Sequence, residues 1–338
     1  MFETFQGENA DEVWRRIAGR FCGGHDLREQ PSRAGPTREI MHAAITVNNP
    51  RERWVVSRSP PLNVAFAIAE VVWIMAGRND LPFLHFWNKQ YAKRAGATSP
   101  LHGAYGFRLR KHFMLDQLQR AYSTLRGNPD SRQVVLQIWD AQCDMPAEDG
   151  EPVSTDIPCN IVSMLKIRNS KLEWTQILRS NDLFLGLPHN LVQFTYLQEM
   201  LAGWLGIEPG TYNQISDSLH LYSENEQSVQ QSAVAVVAPS NTDLISIPKD
   251  ASEAAFAELA RRAEGLTQGG LSEIELRRIS RWPDAPIGFS NMLLVLGAEA
   301  ARRAQFPQLS TEIMSGCNNP LFSHLWQRWR DRIGARSE

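Results

Sequence analysis

Cysteine is scarce in this sequence, and no paired metal-binding motif is present. Among 338 residues only four are cysteines, at positions 22, 143, 159 and 317, and none of them forms a Cys-x-x-Cys pair. Neither a disulfide framework nor a zinc site is therefore expected. We predict a reduced, cytoplasmic protein that holds no metal.

Long apolar runs and an excess of one charge are also lacking. No apolar run approaches the roughly 20 residues that span a bilayer, and the acidic, polar residues 1–16 contain no signal segment. The formal net charge of −2 argues against a broad face for nucleic acid or anionic membranes. Hydrophobic residues make up 43% of the chain, which is ordinary for a globular protein with a large core. We expect neither a membrane nor a nucleic-acid partner.

Two apolar segments predict buried helices. Residues 62–77 are almost entirely apolar and end in glycine, with Glu70 as their one charge. Residues 190–205 predict a second helix that ends near Gly206. Residues 219–222 indicate a short strand or the start of a helix.

Alternating segments predict strands before and after Cys159. Residues 131–140 alternate apolar and polar side chains, as a half-buried strand does. Residues 161–167 and 172–178 predict a hairpin with its turn at Ser170.

The composition changes after about residue 231. The remaining segments show helical patterns over residues 252–266, 272–279, 291–305 and 320–333. We expect a catalytic domain over residues 1–230 and a helical region over residues 231–338 packed on it.

Cys159 precedes the first hairpin strand and follows a proline. A thiol has a pKa of about 8.5, and only its thiolate is a strong nucleophile. The hairpin would bring the cation of Arg179 to it. The alternative is a small buried side chain without chemistry. A papain-like hydrolase, with His189, His220 and Asp182 as partners, is a further alternative, but no signature of that class is present.

Dense motifs around this cysteine resemble the thymidylate synthase and deoxycytidylate hydroxymethylase family. Three motifs match the family in order and spacing. The family's nucleophile motif matches Pro-Cys at 158–159, and its Arg-Ser-x-Asp-x-x-Leu-Gly-x-Pro-x-Asn matches RSNDLFLGLPHN at 179–190. Its His-x-Tyr matches His-Leu-Tyr at 220–222. Weaker matches lie upstream, at Arg33-Ala34-Gly35, Glu70-x-x-Trp-x-x-x-Gly, Tyr105-Gly106 and Asp130-Ser131-Arg132. The resemblance covers roughly residues 30–225 and leaves out the helical C-terminal third.

The resemblance implies an α/β fold with a large mixed sheet, packed helices and a homodimer that forms through one face of the sheet. It also implies one-carbon transfer to C5 of a pyrimidine nucleoside monophosphate, with 5,10-methylenetetrahydrofolate as the folate cosubstrate. Cys159 would add to C6 and so raise the electron density on C5. Arg179 would lower the pKa of the thiol and bind the phosphate.

Further catalytic roles follow from the same resemblance. Glu70 would direct proton transfers around O4 and N3 of the base, because an acid buried in an apolar helix has a raised pKa. Its alternative is a helix-surface residue that faces solvent. Tyr105 would assist proton removal from C5. Asn160 takes the catalytic position of the histidine that usually follows the cysteine.

The resemblance also implies the binding residues. The phosphate would meet Arg33, Arg179, Ser180 and, from the other subunit of the dimer, Arg132, since guanidinium groups suit phosphate oxygens. His220 and Tyr222 would bind the sugar hydroxyl, with Asn181 and Asp182 also on the substrate side. The folate pocket would contain Trp87, Asp182, Gly186 and His189.

Asn190 is the expected reader of the base. An amide can donate to a carbonyl oxygen and accept from N3–H, which fits uracil. A cytosine reader in this family carries aspartate there, because cytosine presents an amine and a bare N3. Rejection of the wrong base leaves buried polar groups unpaired.

Departures from the family bear on the product. They are Asn160 for histidine, Gln133 for a second arginine, His189 for an aromatic residue that would contact the folate, and residues 216–219 for Gly-Asp. The sequence also ends in RDRIGARSE, where thymidylate synthases have an apolar tail that closes the site. Water exclusion decides between hydride delivery, which yields a methyl group, and water addition, which yields a hydroxymethyl group.

These departures favour 5-hydroxymethylation of dUMP or UMP. The alternatives are a thymidylate synthase whose C-terminal helices supply a different lid, a CMP or dCMP hydroxymethylase, and a non-catalytic homologue that binds a nucleotide.

Overall fold

A mixed, seven-stranded sheet forms the centre of the computed structural model of the chain. The structure describes residues 1–334 except 25, 33, 34, 92–95, 97, 98 and 233. The strands are β1 (Glu3–Gly7), β2 (Arg28–Gln30), β3 (Thr37–Val47), β4 (Val134–Gln137), β5 (Asn160–Arg168), β6 (Lys171–Asp182) and β7 (Glu208–Tyr222). The path through the sheet is β1-β3-β7-β6-β5-β4, and β2 pairs with β3.

The sheet mixes strand directions. β1 runs parallel to β3 and β6 runs parallel to β7, whereas the β2/β3, β3/β7, β5/β6 and β4/β5 pairs are antiparallel. The predicted α/β class with a large mixed sheet is confirmed.

Eight helices lie between the strands or directly after the last one in the described part of this region. They are α1 (Ala10–Gly23), α2 (Val64–Met75), α3 (Leu81–Trp87), α4 (Tyr105–Phe107), α5 (Gln117–Gly127), α6 (Ala141–Asp144), α7 (Gly186–Leu205) and α8 (Glu226–Gln231). A π-helical turn, Arg108–His112, continues α4.

Helix α2 is buried over its whole length, as its apolar sequence predicts. The side chain of Asn63 caps it by accepting a hydrogen bond from the Phe66 amide at 3.1 Å. All twelve helical residues are buried. Glu70 is only 8% exposed, so the interpretation of this residue as a solvent-facing carboxylate is wrong.

The hairpin around Ser170 is confirmed. Asn169 and Ser170 form its two-residue turn and have φ angles of 51° and 57°. Positive φ at both central residues belongs to the turn type that matches the twist of the flanking strands. The strands are longer than the sequence pattern predicts, because β6 continues to Asp182.

Other elements differ in extent from their predictions. The strand predicted over 131–140 is confined to β4. The segment 219–222 is the end of the fifteen-residue β7. Helix α7 begins at Gly186 and ends, as expected, at Gly206, whose φ of 69° suits glycine.

The helical C-terminal region packs against α2 and α7. It consists of α9 (Lys249–Leu266), α10 (Glu273–Ser280), α11 (Ile287–Arg303), α12 (Pro307–Ser315) and α13 (Pro320–Gly334). Helices α9, α11 and α13 contact α2, and α9 also contacts α7. The four predicted helices are present, and α12 was not predicted. The domain division at residue 230 stays a prediction.

A buried carboxylate joins α7 to the chain that leads into the C-terminal helices. Glu199 forms ion pairs with Arg53 and, at 3.2 Å, with Arg51, and it accepts a hydrogen bond from the Ile245 amide at 3.2 Å. Both Glu199 and Arg53 are 1% exposed. The pairing and hydrogen bonds compensate the cost of burying this charge.

Candidate active site

The β5–β6 hairpin places Cys159 next to Arg179. The Arg179 amide donates to the Cys159 carbonyl oxygen at 3.0 Å. The Arg179 guanidinium donates to the carbonyl oxygens of Pro158 at 3.0 Å and Ile157 at 3.3 Å, and it lies 5.5 Å from the centre of the Trp139 ring. Arg179 therefore holds the backbone that precedes Cys159, and the predicted proximity of the two residues is confirmed. The Cys159 side chain is partly exposed and is not in a disulfide.

Tyr105 lies close enough to Cys159 for the two side chains to interact electrostatically. Burial raises the pKa of Tyr105 well above its usual value, the nearby Cys159 raises it further, and a hydrogen bond with Asn160 opposes the rise. The phenol therefore stays protonated and can donate a proton or a hydrogen bond. The next residue is glycine because a Cβ on Gly106 would lie 2.3 Å from the Ile74 carbonyl oxygen of α2.

Glu70 and His189 face each other from α2 and α7. Glu70 Oε2 lies 2.5 Å from His189 Nδ1, yet the two atoms are not aligned for a hydrogen bond. The imidazole also meets the edge of Phe66, with ring centres 5.2 Å apart. A buried carboxylate and an imidazole thus offer unsatisfied polar atoms at one place.

Tyr91 and Asp156 belong to the same neighbourhood, although the sequence analysis missed both. Burial raises the pKa of Tyr91, and the charges of Glu70 and Asp156 add to the effect. Burial also raises the pKa of Asp156, and a 2.9 Å hydrogen bond from the Gly103 amide partly offsets this rise. The only sequence signal was the closeness of Asp156 to Cys159 along the chain; an isolated tyrosine carries no pattern.

Asn160, Asn181 and Asn190 meet in the interior. Asn160 Nδ2 donates to Asn190 Oδ1 at 3.5 Å, and Asn190 Nδ2 donates to Asn181 Oδ1 at 3.1 Å. Their exposures are 0%, 2% and 6% in chain order. Gly186 begins α7 close to this group, since a Cβ there would lie 3.1 Å from Asn181 Oδ1.

Asp182 and His220 are register partners on the parallel strands β6 and β7. Asp182 Oδ1 accepts hydrogen bonds from the amides of Phe184 at 2.7 Å and Leu185 at 3.2 Å. Burial raises the pKa of Asp182 and lowers that of His220, and each partner opposes the shift of the other. The rings of His220 and Tyr222 pack edge to face at 5.2 Å.

The two histidines of the hydrolase alternative are placed in separate pairs. His189 faces Glu70 on α2, and His220 faces Asp182 on the sheet. Asp182 therefore accompanies His220 and not His189, and the papain-like triad built on Cys159 stays a prediction.

The remaining expected ligands have different settings. Arg132 and Gln133 are exposed just before the edge strand β4, and Ser180 is half-buried on β6. Arg33 lies outside the described residues. Trp87 is fully buried among Phe83 and Phe86, and its carbonyl oxygen accepts a 2.6 Å hydrogen bond from Arg303. Its ring therefore has no exposed face for a ligand in this structure.

Histidine, cysteine and aspartate side chains also meet outside the cysteine cluster. Possible ligand atoms of His102, Cys143 and Asp144, and of His112, Asp140 and Cys143, lie within 4.8 Å of one another. Spacing along the chain did not indicate either group. In both, an imidazole is 2.7 Å from a carboxylate oxygen, and Arg108 donates to both Asp144 oxygens, at 2.8 and 2.9 Å. Ion pairing accounts for the packing of these side chains.

The Asp144 network predicts a specific response to acid. Burial alone raises the pKa of Asp144, but hydrogen bonds from Arg108, the Asp140 amide and His102 outweigh it, and the pKa lies below its usual value. A lowered pKa contributes stability that is present above the unfolded-state pKa of about 3.9 and is lost as the pH falls through the folded-state pKa. We expect His102→Ala to cost about 1–2 kcal/mol at neutral pH and to move the acid-induced loss to higher pH.

The measurement is urea unfolding between neutral pH and about pH 3. His85→Ala, a substitution at an exposed position on α3, is the control and should leave the curve unchanged. Identical curves for His102→Ala and the native protein would show that the bond to Asp144 does not influence the acid response.

Two comparisons bear on identity once this geometry is known. The family model described as thymidylate synthase matches residues 25–253, which is well over half of the chain. The chain therefore belongs to the thymidylate synthase family, and the resemblance seen in its motifs is confirmed. Most of the helical C-terminal region lies beyond the match. Among the described residues, no helix has both the length and the apolar character that crossing a membrane requires.

Similar proteins carry two kinds of name, deoxyuridylate hydroxymethyltransferase and thymidylate synthase. The chain is 34% identical over 233 residues to a deoxyuridylate hydroxymethyltransferase of Bacillus phage SP01, covering 66% of this chain and 59% of the relative. It is 35% identical over 196 residues to a protein of the same name from Pseudomonas phage M6, covering 57% and 54%. It is 28% identical over 229 residues to a putative thymidylate synthase of Methanothermobacter thermautotrophicus (strain Delta H), covering 64% and 92%. The chain thus spans little more than half the length of the two phage relatives.

Proposed function

We propose that this protein transfers a one-carbon unit from 5,10-methylenetetrahydrofolate to C5 of a uracil nucleoside monophosphate and releases the 5-hydroxymethyl product. The observation that carries the proposal is the hairpin that holds Cys159 beside Arg179, with Tyr105 in the neighbourhood of the same cysteine. A nucleophile, a cation and a phenol at one point match what addition to C6 and proton removal from C5 require.

Each side chain has a defined task in this proposal. The Cys159 thiolate forms a bond to C6, and the displaced electron pair moves to C5 and O4. Arg179 stabilises the thiolate and binds the phosphate. Glu70 handles the proton at O4, and Tyr105 assists removal of the proton from C5. When the sulfur leaves C6, the ring double bond is restored and the thiol is regenerated.

The residues present fit a folate. Buried Glu70 Oε2 and His189 Nδ1 have no hydrogen-bond partner among the described residues, and a polar heterocycle can supply one. The folate, when bound, contributes the one-carbon unit at the oxidation level of formaldehyde. Asp182, Gly186 and His189 would hold it, and Trp87 would support the pocket from behind.

We propose a hydroxymethyl product and not a methyl product because one wall of the folate pocket is polar. His189 stands where the family has an aromatic residue, and it is paired with a carboxylate. Such a pair favours retained water, and water addition yields the hydroxymethyl group. The printed names of the two phage relatives agree with this product. A thymidylate synthase is the second candidate, because the chain covers 92% of a relative named as a putative thymidylate synthase.

The nucleotide site is proposed to need two subunits. Arg132 is exposed at the edge of the sheet next to β4, so its guanidinium is available to the phosphate site of a second copy in a homodimer. Arg33, Arg179 and Ser180 would bind the phosphate from the same chain, while His220 and Tyr222 would bind the sugar hydroxyl.

Product mass is the deciding test. The protein, with methylenetetrahydrofolate, is incubated separately with dUMP, UMP, dCMP and CMP in water enriched in heavy oxygen. We expect a hydroxymethyl product from one uracil nucleotide, with heavy oxygen in the new group. A methyl product with dihydrofolate would establish the synthase instead, and a product from a cytosine nucleotide would contradict the role given to Asn190. Binding without any product would indicate a non-catalytic homologue.

A further inference from the structure

A continuous chain of hydrogen bonds runs through the interior from Trp174 to Asn190. Trp174 Nε1 donates to Gln176 Oε1 at 3.1 Å, and Gln176 Nε2 donates to Asn160 Oδ1 at 2.9 Å. Asn160 Nδ2 then donates to Asn190 Oδ1 at 3.5 Å. Trp174, Gln176 and Asn160 are all 0% exposed, so water cannot replace these partners.

The direction of this chain is set at its first member. An indole N–H can only donate, so the Gln176 atom that it contacts must be the amide oxygen. Ser163 Oγ donates to the same oxygen at 2.5 Å. Gln176 is left with its NH₂ group for Asn160, which must accept. Asn160 therefore offers its own NH₂ group to Asn190, and Asn190 must accept in turn.

The hydrogen bonds beyond Asn190, to Asn181 and Ser216, run in the same direction. Asn190 Nδ2 donates to Asn181 Oδ1 at 3.1 Å, and Asn181 Nδ2 donates to Ser216 Oγ at 3.2 Å. Asn181 is 2% exposed and Ser216 is 0% exposed. The Asn190 oxygen thus points towards Asn160 and its NH₂ group towards Asn181, and every donor along the path meets an acceptor.

We propose that Trp174, Gln176 and Asn160 are positioning residues that hold the Asn190 amide in the orientation for uracil and thereby exclude cytosine. The inference rests on the proposed function at the same site. In this orientation Asn190 keeps one N–H and one lone pair unused, in fixed places. Uracil offers O4 and N3–H to such a pair, whereas cytosine offers a donor and an acceptor in the reverse order.

Asparagine alone would not discriminate between these bases. Rotation of its amide by half a turn exchanges the donor and the acceptor, and the rotated form suits cytosine. Here rotation would set N–H against N–H at Asn160 and oxygen against oxygen at Asn181. Buried polar groups left unpaired in this way are costly. Asn160 in place of the family's histidine is therefore part of the specificity of this site.

Gln176→Glu tests the direction of the chain. A carboxylate at this position accepts from Trp174 and Ser163 and can no longer donate to Asn160. Asn160 then turns its NH₂ group towards residue 176, and Asn190 is driven to the rotated form. We expect the ratio of kcat/KM for the uracil nucleotide to that for the matching cytosine nucleotide to fall about 10- to 100-fold.

Trp174→Phe provides a second test that adds no charge. It removes the donor that sets the direction and should also lower the ratio. The control is Gln198→Met, at an equally buried glutamine whose NH₂ group bonds, among the described residues, to the backbone carbonyls of Leu172, Gly210 and Thr211 and not to Asn160 or Asn190. This control should leave the ratio unchanged. Thermal unfolding establishes which variants are folded before the ratio is measured.

Calorimetric binding of the uracil and cytosine nucleotides separates failure of the inference from failure of the proposed function. If the native protein prefers the uracil nucleotide and folded Gln176→Glu and Trp174→Phe keep that preference, the positioning role is refuted. If the native protein binds neither nucleotide, the proposed function itself fails. A lowered preference in both variants, with Gln198→Met unchanged, supports the inference.

Discussion

Cys159→Ala is expected to abolish product formation while leaving nucleotide binding intact. The proposed reaction begins with a bond between the sulfur and C6, and alanine offers no atom that can form it. Loss of an essential nucleophile lowers kcat by about 10⁴-fold or more. The local structure should survive, because Arg179 is held by the backbone carbonyl oxygens of residues 157–159. The measurements are turnover by product mass and nucleotide binding by calorimetry.

Cys22→Ala is the matched control for this variant. Cys22 is exposed near the end of α1, so its replacement should change neither turnover nor binding. Normal turnover in Cys159→Ala would refute covalent catalysis by this cysteine. Loss of both turnover and binding would show that the thiol is needed for the shape of the site.

Gly106→Ala is expected to damage both stability and activity. The new Cβ would lie 2.3 Å from the carbonyl oxygen and 2.5 Å from the Cα of Ile74. These are backbone atoms in the last turn of the fully buried α2, so neither side can yield by rotating a side chain. Overpacking of this kind costs about 3 kcal/mol or more. It would also displace Tyr105 from Cys159, and activity should fall steeply.

Gly19→Ala separates this effect from a general response to alanine. Gly19 lies within α1, and a Cβ there would meet nothing within 4 Å. That variant should gain about 0.5–1 kcal/mol, since alanine favours helix. Urea unfolding and kcat are measured for both. Equal stability of the two variants would show that α2 and the Tyr105 segment are not in close contact.

Local patterns predicted the elements that carry the chemistry. The hairpin of Cys159 and Arg179 depends on alternation and on a two-residue turn, and the buried helix of Glu70 depends on an apolar run. Both are properties of short segments. The resemblance added the ligand positions, and the structure places Asn160, Asn181 and Asn190 together.

Features that depend on distant segments could not be predicted. Strand β7 was recognised only at its end, because its buried face carries polar residues such as Gln214 and Ser216, both 0% exposed. These residues do not alternate as apolar and polar. Gln214 bonds to Tyr212 and Ser216 on β7 itself, and Ser216 also accepts from Asn181 on β6, so the burial of Ser216 is satisfied only after the sheet has formed. The contact of His189 with Glu70 could not be predicted either, because it joins two helices that are far apart in the sequence.

The burial of α2 on all sides determines how this protein can be divided. Helices α9, α11 and α13 cover α2, and the buried charge of Glu199 receives a hydrogen bond from Ile245. In a chain cut after residue 230, the apolar side chains of α2 that these helices cover would be exposed to water and would promote aggregation. The buried carboxylate of Glu199 would also lose its hydrogen bond from the Ile245 amide. The C-terminal helices, although mostly outside the family match, are therefore not an exchangeable module. Helix α2, which carries the proposed catalytic acid Glu70, is buried by C-terminal helices that contribute no proposed catalytic residue.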